Sequence, residues 1–207
     1  MTQDVSELIA AGRDHEAARL ATRGGTLVDP LTQLDKIGPA LGGVVAGIRE
    51  DQLDAPTPCS SFTVRGVLEH MISGATAFAA AYRGVPAASP DVSDPLGGFG
   101  PALGDLLAAA AEPGALERTV EAPFGAVPGE VFARFIALDG LVHGWDLAVA
   151  TGQPYSPPDD VVAAAQAFAE STLDPLRDGD TFAAAVPAAA DATPIERLVA
   201  YTGRSPL

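Results

Sequence analysis

The chain has 207 residues, 12 basic against 27 acidic, a formal net charge of -15 and one cysteine. That is enough for one domain with a real core, and it excludes a disulfide framework or a cysteine-rich zinc cluster. The acidic surplus, uninterrupted by any Lys/Arg cluster, repels phosphate backbones and anionic headgroups, so nucleic acid and membrane are not expected as partners.

The opening MTQDVSELIAAGRDHEAARL mixes charges and lacks the apolar run of a signal peptide. No later stretch is long and apolar enough to span a bilayer, and the expectation is a soluble, cytoplasmic protein. Residues 1–28 read as an N-terminal appendage with a short amphipathic pattern (Val5, Leu8, Ile9, Leu20), and residues 29–207 as the domain proper.

The domain opens with Asp29 as a helix cap and Pro30 at the first helical position, followed by Leu34, Ile37, Leu41, Val44 and Ile48 at helical spacing. Pro39 predicts a kink there. After the loop DAPTPCSSF, Thr63 caps a second helix that Gly84 ends. Its apolar stripe is Val67, Met71, Gly74 and Phe78, with His70 within or at the edge of it.

A Gly/Pro-rich link over 85–101 is expected before a third helix, ALGDLLAAAAE, and RTVEAPFGAVPGEV reads as an ordered, partly extended connection. A fourth helix begins near Glu130. Its stripe runs Phe132, Ile136, Asp139, His143, Asp146/Leu147 and Ala150, turning from apolar to polar without changing its spacing. In SPPDDVVAAAQAFAEST, Ser156 and Asp159 form a capping-box pattern for a fifth helix, and Thr193, Pro194 and Glu196 repeat the device before a last helix that stops at Gly203. With no internal repeat and no second-domain boundary, the pattern predicts an all-α antiparallel four-helix bundle with additional short helices.

Asp139 and His143 are one helical turn apart, with Cβ atoms about 5 to 6 Å from each other, close enough to share an ion. His70 on the second helix would complete a set of two imidazoles and a carboxylate with an open position, the composition of catalytic zinc sites. Spacing alone supports equally a buried Asp–His hydrogen bond with no metal. Asp146 lies where it can orient the second ring nitrogen of His143, or bond backbone or an arginine near the helix end. Trp145 points off this ridge and reads as packing. Cys59, just before the second helix, reads as a small buried side chain, with activation by the helix N-terminus as the alternative. No Ser-His-Asp set, phosphate-cradling loop or dinucleotide fingerprint is present, so hydride and phosphoryl transfer lose support.

TPCSSFTVRGVLEHM and LDGLVHGWDLAVATGQP, with the ending ERLVAYTGRSP, resemble the DinB-like superfamily, specifically a short subgroup of the mycothiol-dependent maleylpyruvate isomerase N-terminal family. The resemblance covers roughly residues 30 to 207. It implies a four-helix core and a divalent ion, usually zinc, held by His70, Asp139 and His143. It also implies that the metal activates a low-molecular-weight thiol or a water. Asp139 stands where the family pattern has Glu, Phe62 where it has Trp, and Gly66 where it has an acid. The expected function is a zinc-dependent, mycothiol-type thiol transferase or isomerase of a small electrophile, with a homodimer as an allowed assembly. The alternatives are a metal-free, non-catalytic bundle that binds a small ligand, and a metal-dependent hydrolase.

Overall fold

The computed structural model describes residues 28–122, 125–177 and 182–205. The amphipathic segment expected over Val5 to Leu20 lies outside the described residues. Among those described, the chain is mostly helical, with six α-helices and one two-stranded hairpin, and no helix is long and apolar enough to cross a membrane.

Helix α1 spans Pro30–Ala46, and Asp29 caps it by accepting from the Thr32 amide at 3.0 Å. It runs on through Pro39, whose ring lies on the exposed side, while Leu34, Ile37, Leu41 and Val44 are buried. Helix α2 spans Val64–Arg83, capped by the Thr63 hydroxyl, which accepts from the Gly66 amide at 3.2 Å. Gly84 ends it in the left-handed conformation (φ 67°), which a residue without Cβ adopts at no steric cost.

The expected link over 85–101 is shorter than the glycines and prolines suggest. Helix α3 spans Pro95–Ala110, because Asp94 accepts from the Gly97 amide at 3.0 Å and Pro95 takes the first helical position. Helix α3 packs along α2, and a Cβ at Gly98 would be in ordinary contact with the Ile72 side chain at 3.4 Å. Packing thus overrides the low helix propensity of the segment.

The connection that follows is a hairpin of β1, Thr119–Ala122, and β2, Gly125–Pro128. Val120 and Val127 pair across it and are both buried. Helix α4 spans Gly129–Thr151. It is enclosed on nearly all sides rather than along one stripe, since from Gly129 to Ala148 only Glu130, Arg134 and Asp139 escape full burial. Helix α5 spans Asp159–Thr172 and starts later than a Ser156 capping box requires: Pro158 is its cap residue and no side chain caps it. A proline at 158 disfavours helical backbone at 157, so the helix begins beyond both prolines, with Asp159 and Asp160 complementing its N-terminal dipole. Helix α6, Pro194–Tyr201, has the expected capping box of Thr193 and Glu196.

Helix α1 packs along α4 and α2 along α3, and α1 also meets α3 and α2 meets α4. Helices α5 and α6 pack on each other and on α4. Leu41, Leu138, Leu141 and Leu147 are all fully buried, each worth roughly 1.5–3 kcal/mol of burial. The Tyr82 hydroxyl donates to the Gly129 carbonyl at 2.9 Å, tying the end of α2 to the start of α4. This alignment sets His70, near the front of α2, across from the middle of α4.

Candidate metal centre in an aromatic-lined cavity

Asp139 is one of the three breaks in the buried surface of α4, and the two imidazoles converge on it. His70 Nε2 lies 3.6 Å and His143 Nε2 3.5 Å from Asp139 Oδ1. One ligand atom from each of the three residues lies within 4.8 Å of the others, and the two rings meet edge-on with centroids 4.9 Å apart. The structure therefore brings together the three side chains singled out in the sequence. The shorter Asp reaches both imidazoles because all three groups project into one gap between α2 and α4.

His143 is buried, whereas the His70 and Asp139 side chains are 40% and 39% exposed. Phe62, from the loop before α2, stacks on His70 with centroids 5.4 Å apart and presents its edge to His143 at 6.4 Å. Behind His143, Nδ1 lies 3.0 Å from Asp146 Oδ2. Asp146 is fully buried and its charge faces Arg204, whose Nε is 3.6 Å from the same oxygen. Arg204 arrives from the far end of the chain. Gly203 turns the backbone after α6 (φ 91°), and the Arg204 amide donates to the Val199 carbonyl, fixing the exit direction.

These charges shift the titrating groups. Burial alone would raise the Asp139 carboxyl, but His143, His70 and Arg204 together outweigh it and hold the group below the usual carboxylate range. The neighbouring Asp139 raises His70, against the opposing effect of burial. Burial pushes the Cys59 thiol up despite Arg204, whose Nη2 sits 3.6 Å from Sγ. Cys59 is half-buried rather than the fully buried side chain expected, and it lines the cavity.

The three converging residues line a cavity of about 480 Å³ that Cys59, Arg204 and five phenylalanines, Phe62, Phe78, Phe132, Phe135 and Phe182, also line. Trp145 is buried and does not line it, as its position off the ridge predicts. Arg204 is the residue that sequence reasoning missed. Its signal was its place in the ending ERLVAYTGRSP, which gives no hint that the turn at Gly203 aims the guanidinium at Asp146.

A family model described as the mycothiol maleylpyruvate isomerase N-terminal domain matches residues 34–117, a span that includes His70. Two uncharacterized proteins of Mycobacterium tuberculosis, from strains CDC 1551 and H37Rv, are each 33% identical to the chain over 186 residues, 86% of this chain and 99% of theirs. No solved structure gives a significant match.

Proposed function

This chain belongs to the mycothiol maleylpyruvate isomerase N-terminal domain family, and from that premise we propose that it binds a divalent ion, zinc, and uses a mycothiol-type thiol to transfer to or isomerise a small electrophile. His70, Asp139 and His143 would hold the ion. The observation that carries this reading is the convergence of three donors of the right kind on one point of a ligand-sized cavity.

The donor set fits zinc. Two of the three donor separations, 3.5 and 3.6 Å from Asp139 Oδ1 to the two Nε2 atoms, are close to the ~3.4 Å edge of a tetrahedral shell with bonds of about 2.0–2.1 Å, and all three ligand atoms lie within 4.8 Å of one another. Three protein donors leave a coordination position for a substrate, and α1 to α4 supply the facing helices from which bundle proteins build such sites. A metal-free Asp–His pair does not by itself call for a second imidazole aimed at the same oxygen.

An ion held there would act as a Lewis acid, favouring the thiolate form of a thiol beside it. The protein's own groups do the rest. Asp146 Oδ2, 3.0 Å from Nδ1, orients the His143 ring, and by accepting from a protonated Nδ1 it would leave Nε2 to hold the ion. Arg204 offsets the buried charge of Asp146. Phe62 holds the His70 ring by stacking, and the other phenylalanines give the cavity apolar walls beside the reacting groups.

The test is turnover of a small electrophile by zinc-loaded protein with and without mycothiol. Thiol-dependent turnover that is lost in His70→Ala supports the reading. Turnover that needs no thiol overturns its thiol half and points to hydrolysis.

A further inference from the structure

Behind Asp139 lies a second, smaller space. An apolar pocket of about 40 Å³ is lined from α1 by Ile37 and Leu41, from α2 by Met71, from α3 by Phe99 and Leu106, and from α4 by Gly140. It adjoins the large cavity, because Asp139, Phe78 and Ile136 line both. We infer that this pocket is a subsite for a short aliphatic group, the end of a small molecule whose polar end sits at Asp139. The inference rests on the metal reading for where the polar end lies and deepens it by naming the character of the other end.

The lining sets the chemistry. Among the described residues around the pocket, Asp139 is the one with a charged side chain, and its Oδ1 already faces His70 and His143 at 3.6 and 3.5 Å. A buried water needs two to four polar partners, so these walls favour apolar atoms over water. Since one water takes roughly 10–15 Å³ of such space, there is room for about three heavy atoms. An alkyl group placed there would gain the dispersion contacts that the walls lack.

Two glycines show that close helix packing does not force this space. Glycine is the poorest helix former after proline, yet Gly38 stands inside α1 and Gly140 inside α4, both on the pocket. A Cβ at Gly38 would find nothing nearer than a Leu107 methyl at 4.0 Å. One at Gly140 would meet Ile37 at 3.7 Å and Leu41 at 3.8 Å, which are ordinary contact distances. Side chains fit at both positions, and the room they would take is the pocket's.

The test uses the zinc-loaded full chain and two probes, acetohydroxamate and butyrohydroxamate, which share a metal-binding head and differ by two methylenes. A buried methylene is worth about fourfold in affinity, so calorimetry is expected to give the longer probe an advantage of about tenfold. Gly38→Ala combined with Gly140→Ala fills the pocket and is expected to cut that advantage to about twofold or less, with a melting temperature no lower than that of the unsubstituted protein. Gly38→Ala alone, on a helix that carries no proposed ligand, is expected to cut it partly. Equal affinities for the two probes, or an advantage that survives both glycine substitutions, overturns the inference. Failure to take up zinc or to bind acetohydroxamate overturns the metal reading instead, and xenon then decides this one. In chelator-treated protein xenon is expected to shift the methyl resonances of Ile37 and Leu106, which line this pocket and not the large cavity. Unshifted Ile37 and Leu106 methyls overturn the inference.

Discussion

Asp146 holds His143 from behind: the two residues lie one turn apart on α4, Oδ2 sits 3.0 Å from Nδ1, and the carboxylate has no exposed surface. A buried carboxylate in that position does two things at once. Accepting from Nδ1–H, it would leave Nε2 for an ion, and it fixes the ring so that the side chain loses little freedom when a ligand is held.

Asp146→Asn keeps the shape and removes the charge. Zinc affinity is expected to fall about 10–100-fold, the usual cost of removing such a partner. Competition with a chromophoric chelator reads this directly. Unchanged affinity would show that Asp146 serves only to bind Arg204.

The metal-free protein should carry a pH signature from His70 and Asp139. His70 is raised above its ordinary 6.5, so its contribution is fully present below that pH and is lost as pH rises through the raised value. Asp139 is lowered below its ordinary 3.8, so its contribution is present above that pH and is lost as pH falls through the lowered value. The pair therefore stabilises the metal-free fold most between about pH 4 and 6.5. Zinc requires a neutral His70, so the stabilisation it adds should grow as pH rises across the same range and beyond. Thermal melts with and without zinc from acid to mildly alkaline pH test both trends. Zinc stabilisation that grows as pH falls would contradict them.

Gly144, next to His143, has no room for a side chain. A Cβ there would lie 2.5 Å from the Tyr155 hydroxyl oxygen and 3.1 Å from a Leu41 methyl. Gly144→Ala is expected to cost about 1–3 kcal/mol by overpacking and to disturb His143 through the same backbone. Urea unfolding with a zinc titration separates the two effects, and loss of neither would contradict the close approach of α1 and α4.

Much of this was legible in the sequence because it rests on local chemistry. Asp29-Pro30, Thr63 and the Thr193–Glu196 box mark helix starts through hydrogen bonds made within a few residues, and Gly84 marks an end through its backbone freedom. The ridge of Asp139 and His143 follows from helical spacing alone. What local chemistry could not show is what the tertiary fold decides. Asp94-Pro95 is the same device as Asp29-Pro30, but it is hidden by the glycines at 97, 98 and 100, and the helix they join is one that packs along α2. The Ser156 pattern failed because consecutive prolines delay the helix. Arg204 is 58 positions from Asp146, and only the turn at Gly203 brings them together.

The claim on which the rest depends is that His70, Asp139 and His143 hold one ion. Zinc titration of the purified chain, followed by elemental analysis after dialysis, tests it most directly. About one tightly held zinc per chain is expected, with affinity reduced at least 100-fold in both His143→Ala and His70→Ala, as loss of one of three ligands requires. A chain that retains no stoichiometric zinc, or one whose affinity is the same in both variants as in the unsubstituted protein, would contradict it.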